Sequence, residues 1–168
     1  FEQNGFDVKG RSAAVFGAGG SAAAAGWALG RSMAAAVQFR ARKPSAAQAI
    51  VKRLSDVFPG TAYSAAPFEA APAEIYVNAT PLGMYEPGMP PCAPSRGGAC
   101  LDLAYAPGGT PFVKAAAAAG ALALDGFEVL LRQATLSLRC WAGLPAGDIV
   151  KFNAEALKLF RADADRGL

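Results

Sequence analysis

The chain contains no histidine. That absence removes the commonest general base and metal ligand, and it excludes Ser-His-Asp or Cys-His catalysis within these residues. Cysteine is scarce too: Cys92, Cys100 and Cys140 are the 3 present. Their scattered positions match no metal-ligand spacing, so no metal site is expected and reduced thiols in a cytoplasmic protein are the reading. Charged residues make up 17% of the chain, and the net charge of +3 is not gathered into a basic stripe, so nucleic acid is not expected as a partner. No apolar run approaches the roughly 18 residues of a membrane helix, and no signal-peptide pattern precedes the first strand. What the chain does have is 168 residues, 53% of them hydrophobic, enough to bury one substantial core in one domain.

The stretch that organises the rest is Gly17-Ala18-Gly19-Gly20-Ser21-Ala22. It follows a short apolar run, Ala13-Ala14-Val15-Phe16, and opens an alanine-rich segment reaching Leu29. Strand, glycine turn and helix in that order fit the G-x-G-x-x-G/A fingerprint of dinucleotide binding. The first glycine turns the chain, the second lets backbone approach a pyrophosphate, and the small third residue lets helix pack on strand. Free amides and the positive end of the helix dipole then receive a diphosphate without a lysine. In a chain this rich in alanine and glycine, chance would also produce a glycine turn, so the flanking elements matter.

Those elements alternate along the chain. Strands are expected at 12–16, 35–39, 61–64, 75–77, 99–103 and 121–124. Helices are expected at 21–33, 46–58 with Ser45 as N-cap, 110–119 opened by Thr110-Pro111, 127–141, and 148–160. Gly26 within the first helix costs about 1 kcal/mol relative to alanine and suits a close helix–sheet approach. Residues 85–98 are rich in proline and glycine and read as loop. This order implies an α/β fold, a doubly wound and mostly parallel sheet of Rossmann type with right-handed crossovers. We place the nucleotide-binding domain at 11–147, the end of an interdomain linking element at 1–10, and a C-terminal helix and tail at 148–168. A chain starting so close to such a strand reads as cut from a longer protein.

The residues after the second strand separate two cofactors. A carboxylate there accepts from the ribose 2′-hydroxyl of NAD, whereas arginine accommodates the 2′-phosphate of NADP. The sequence has Arg40, Arg42 and Lys43 and no acid. A guanidinium offers a planar fork to a phosphate, so NADP is the expected cofactor. A solvated surface loop would also carry such charges.

Longer motifs carry a resemblance. Gly17-Ala18-Gly19-Gly20 is followed by Asn78-Ala79-Thr80-Pro81-Leu82-Gly83-Met84, then by Asp102-Leu103-Ala104-Tyr105-Ala106-Pro107 with Thr110-Pro111. Asp125-Gly126, Gln133-Ala134 and Trp141-Ala142-Gly143 close the series. In this order the sequence resembles the nucleotide-binding half of the shikimate dehydrogenase family. The resemblance implies NADPH-dependent reduction of 3-dehydroshikimate to shikimate, a step of aromatic amino-acid biosynthesis. It implies that Asn78, Ala79 and Thr80 form a loop against the cofactor, that Leu103 and Gly126 border the nicotinamide, and that Tyr105 and Gln133 face the substrate. Taken without the resemblance, Gln133 reads as a helix-surface residue and Tyr105 as a core aromatic.

The family keeps its lysine–aspartate catalytic pair in an N-terminal substrate domain, which is not in this sequence. No residue here matches the acid that reduction of a carbonyl needs, so this polypeptide is expected to bind cofactor and turn over little or nothing. Two departures stand out. Ala41-Arg42-Lys43 replaces the family's Asn-Arg-Thr, and Glu128 and Val129 stand where a second glycine and a methionine are usual. A carboxylate beside the nicotinamide amide would crowd that end, which opens quinate or another cyclic polyol as the substrate. A non-catalytic nucleotide-sensing or interaction module is a competing reading. Phe152, Leu157 and Phe160 either met an absent domain or pack on this one. The assembly is a monomer or a homodimer.

Overall fold

In the computed structural model the described residues are 1–92, 94–143, 155, 156, 158 and 159. In chain order they form β1 (Ser12–Phe16), α1 (Gly20–Arg31), β2 (Ala36–Arg40), α2 (Gln48–Val57), β3 (Ala62–Ala66) and β4 (Ile75–Asn78). Next come β5 (Ala99–Asp102), α3 (Pro111–Ala118), β6 (Leu122–Leu124) and α4 (Gly126–Ala142). The 6 strands make one sheet in the order β3-β2-β1-β4-β5-β6, with every neighbouring pair parallel. The chain runs outward from β1 to β3, then returns to the other side of β1 for β4. That reversal opens a crevice at the carboxyl ends of β1 and β4, where open α/β sheets take ligands.

Alternation along the strands sorts side chains onto two faces. Val15, Val37, Phe39, Ile75 and Val77 pack with Ala22 and Leu29 of α1 and Leu54 of α2. Ala14, Phe16, Tyr76 and Cys100 face the other way, against Phe112 and Ala116 of α3. Pairing register aligns Arg40, Phe16, Asn78 and Asp102 across β2, β1, β4 and β5 at the carboxyl rim. In-register neighbours of a parallel sheet share a face, so these four side chains stand in one row.

Gly26 does bring α1 close to the sheet. A Cβ built there would lie 2.4 Å from Phe39 Cζ and 2.9 Å from Leu54 Cδ1. One turn later, Gly30 leaves room for Tyr63, whose hydroxyl donates to Gly26 O at 3.0 Å. The intrinsic cost of glycine in a helix, about 1 kcal/mol, is offset by full burial of Phe39, worth roughly 1.5–3 kcal/mol.

Element ends depart from expectation in a few places. Helix α1 stops at Arg31, and Met33 takes a left-handed φ of 58°. Ser45 is not an N-cap: Lys43 precedes a 3-10 turn at Pro44–Ala47, and α2 begins only at Gln48 with no side-chain cap bond. Thr110 does cap α3, its side chain accepting from Val113 N. The helix expected at 148–160, with Phe152, Leu157 and Phe160, lies outside the described residues apart from the four named above. Among the described residues no helix is long and apolar enough to cross a membrane.

Candidate functional site

At the crevice a cleft of about 820 Å³ is lined by Gly17, Ala18 and Gly19 from the first turn and by Ala41, Arg42, Lys43 and Ala46 after β2. Ala79, Thr80, Pro81 and Leu82 after β4, with Phe68 and Glu86, complete it. Its floor is backbone. Gly17 has a φ of 115°, and a Cβ there would lie 2.8 Å from Ala79 O. Only glycine meets both conditions. A Cβ added at Gly19 or Gly20 would meet nothing within 4 Å, which leaves the amides at the start of α1 approachable. Ala22 is fully buried against the sheet; it serves helix–strand packing, the third position's part in the fingerprint. Ser21 is exposed at the first turn of α1.

The basic loop divides. Arg42 and Lys43 are exposed and line the cleft. Arg40 does not, which corrects the expectation that it reads the cofactor. It is 2% exposed and, as the last residue of β2, points to the face opposite Phe39. Its guanidinium donates to Gln38 Oε1 at 3.0 Å and to the Ala71 carbonyl. It also lies 5.6 Å from the Phe16 ring centroid and 5.9 Å from that of Tyr76. Burial pulls its pKa down, while Tyr76 and Cys92 oppose that shift. Arg40 is a structural cation. Burial in turn pushes the Cys92 thiol up to about 11 and Cys100 to about 12, so neither carries thiolate at neutral pH.

Asn78 is fully buried and works behind the cleft wall. Its amide donates to Asp102 Oδ1 at 2.8 Å and to Leu82 O at 3.0 Å. Its Oδ1 accepts from Thr80 N at 3.0 Å and Thr80 Oγ1 at 2.6 Å. Asp102 also accepts from Ala104 N at 3.0 Å and, through Oδ2, from Thr110 Oγ1 at 2.5 Å. Burial raises the Asp102 pKa, with the bonds from Thr110, Ala104 and Asn78 pulling the other way. Asp102 and Thr110 belong to the motifs of the resemblance but were not among the expected site residues. The available signal was a single carboxylate ending an apolar strand.

On the far side, Gly126 starts α4 directly on the β5 turn: a Cβ would lie 2.6 Å from Leu103 O and 2.8 Å from Ala104 O. Tyr105 stacks obliquely on Phe127, ring centroids 4.6 Å apart. Gln133 is exposed on α4 in a shallow depression of about 520 Å³ whose lining includes neither Tyr105 nor the glycine turn. The structure therefore brings Leu103 and Gly126 together and does not unite Tyr105 with Gln133. Glu128, expected to crowd the nicotinamide amide, accepts from Arg132 at 2.6 Å and from Asn4 Nδ2 at 3.4 Å. It lines a separate groove of about 350 Å³ beside Leu101, Leu124 and α1. Among the described residues no group of His, Cys, Asp and Glu could hold a metal ion.

No family model matches the chain. Individual proteins do. The chain is 38% identical over 146 residues to a shikimate dehydrogenase (NADP(+)) of Anaeromyxobacter dehalogenans, an alignment covering 83% of this chain and 51% of that enzyme. The chain thus spans about half the length of the curated relatives it matches. Among solved structures, quinate dehydrogenase from Corynebacterium glutamicum in complex with NAD superposes with a TM-score of 0.76 at 28% identity, over 89% of this chain and 56% of that one. Shikimate 5-dehydrogenase from Listeria monocytogenes, in complex with shikimate and NAD, shares the fold with a TM-score of 0.75 at 21% identity, over 90% and 58%.

Proposed function

Because the chain is a homologue of shikimate dehydrogenases over about half of their length, we propose that it is the NADP-binding half of a shikimate dehydrogenase-type oxidoreductase. Its reaction would be NADPH-dependent reduction of 3-dehydroshikimate to shikimate. Bound NADPH supplies the hydride that the substrate's carbonyl carbon accepts. The chain's own residues bind and orient. Amides of Gly19 and Gly20 at the start of α1 receive the diphosphate, as a bare helix N-terminus favours. Arg42 and Lys43 take the adenosine 2′-phosphate. Ala79 and Thr80 wall the cleft, Leu103 and Gly126 border the nicotinamide, and Tyr105 and Gln133 meet the cyclic polyol. Gln133 can both donate to and accept from hydroxyls; it does so only where substrate spans from Tyr105 to the exposed face of α4.

The observation that carries this reading is two exposed cations in one cleft with the glycine turn, and no acid among residues 41–46. Calorimetric binding of shikimate, compared with quinate, to the chain saturated with NADP(+) tests the substrate. Tighter quinate binding would overturn the shikimate reading and favour the second one, a quinate dehydrogenase, which the likeness to the corynebacterial enzyme supports. The polypeptide of 168 residues is expected to bind NADPH saturably while oxidising little or no shikimate. A fluorescence titration of the reduced nicotinamide without saturation would remove the nucleotide reading.

A further inference from the structure

The buried polar bonds behind the cleft form a continuous path from its wall to the turn after β5. Gly17 packs on the Ala79 carbonyl. Thr80 is held by Asn78, and Asn78 by Asp102. Asp102 fixes the Ala104 amide, and the Ala104 carbonyl packs on Gly126. Thr110 ties the same carboxylate to the first turn of α3. Asn78 and Asp102 are adjacent in register at the ends of β4 and β5 and both fully buried. No cofactor atom needs to touch either.

We propose that Asp102 is a positioning residue that sets the spacing between the adenosine-side wall, Ala79–Leu82, and the nicotinamide-side turn, Leu103–Gly126, so that both halves of one dinucleotide are held at once. This rests on the nucleotide-binding reading above. The two walls are unequal without Asp102. The loop after β4 closes on itself, since Asn78 still bonds Thr80 and Leu82 and Thr80 Oγ1 accepts from Leu82 N at 3.3 Å. The turn after β5 keeps one bond without it, Leu103 N donating to Asn78 O at 2.9 Å, but its next amide, that of Ala104, has the Asp102 side chain as its acceptor. Removing the carboxylate therefore loosens the nicotinamide-side turn from Ala104, where it meets Gly126, while leaving the adenosine side formed.

The test compares NADPH with adenosine 2′,5′-bisphosphate, which carries the adenosine half alone, by calorimetry on the full chain. Asp102→Ala is expected to weaken NADPH about tenfold and to leave the bisphosphate within about twofold, a coupling of the size expected within one buried network. Asp102→Asn keeps an acceptor for Asn78 and Ala104 and turns an amide toward Thr110, so its NADPH affinity falls between the two. A role confined to general stability would weaken both ligands equally; that result, or no change in either, overturns the proposal. Should Asp102→Ala not fold, wild type against Asp102→Asn carries the comparison. Failure of wild type to bind the bisphosphate would sink the nucleotide reading and the inference with it. Wild-type binding with unaltered variants would sink the inference alone.

Discussion

The cleft and the strand ends beside it are built on different principles. At the β1–β2 side the lining is bare or exposed: a glycine turn and two cations reaching solvent. At the β4–β5 side the support is buried: Asn78, Asp102 and Thr110, each inaccessible, with Asp102 bonded to both of the others. The first arrangement is local in sequence and tolerant of its surroundings. The second is non-local and cooperative, because each buried polar group is costly to leave unpaired. Arg40 and Arg42 show the contrast within three residues: one is enclosed by rings and carbonyls, the other lines the cleft.

The largest expected effect is at the bare end. Gly17→Ala adds a side chain at a φ of 115° and 2.8 Å from the Ala79 carbonyl; it should lower unfolding free energy by about 3 kcal/mol. Denaturant titration checks this, and a loss below ~1 kcal/mol would mean the turn yields easily. At the buried end, Thr110→Val removes both a helix cap and the donor to Asp102 Oδ2. A stability loss of about 2 kcal/mol is expected, and Thr110→Ser, which keeps the hydroxyl, should recover most of it.

The arginine pair sharpens the comparison further. Arg42→Ala should weaken NADPH roughly 10- to 100-fold, the range for lost bonds between charged groups, with the melting temperature unmoved. Arg40→Met should do the reverse, costing about 1 kcal/mol of stability while leaving NADPH affinity intact. Reduced affinity in Arg40→Met would restore Arg40 to the cofactor site.

The smallest effect is one of pH. The folded Asp102 carboxyl is raised above 3.8 by burial. Between that value and the raised one, the folded state binds more protons than the unfolded chain, so this group's contribution is greatest in acid and is lost as pH rises through the folded pKa. The stability of wild type relative to Asp102→Asn should therefore decline as pH increases over that window. A rise instead would mean that the three donors outweigh burial.

Much of the fold was legible because its signals are short-range. Apolar strands alternating with helices, the Gly17 turn and the Thr110 cap each lie within a few residues, and they give all six strands and a doubly wound parallel sheet. The sidedness of Arg40 was also legible in principle. Val37 and Phe39 are the apolar positions of β2, so period-2 alternation sends Arg40 to the opposite face. Glu128 was half legible: its bond to Arg132 follows i,i+4 helix geometry, whereas Asn4 lies 124 positions away. The pairing of Asn78 with Asp102, 24 positions apart, follows only once β4 and β5 are placed side by side in register. Ser45 failed as a cap because Pro44 opens a 3-10 turn, and α2 begins after it.

Parallel titrations of the wild-type chain with NADPH and NADH, read by fluorescence of the reduced nicotinamide, test the central claim most directly. A cleft in which amides hold the diphosphate and Arg42 with Lys43 hold the 2′-phosphate should bind NADPH about tenfold more tightly or better. Equal affinities for the two nucleotides would contradict it.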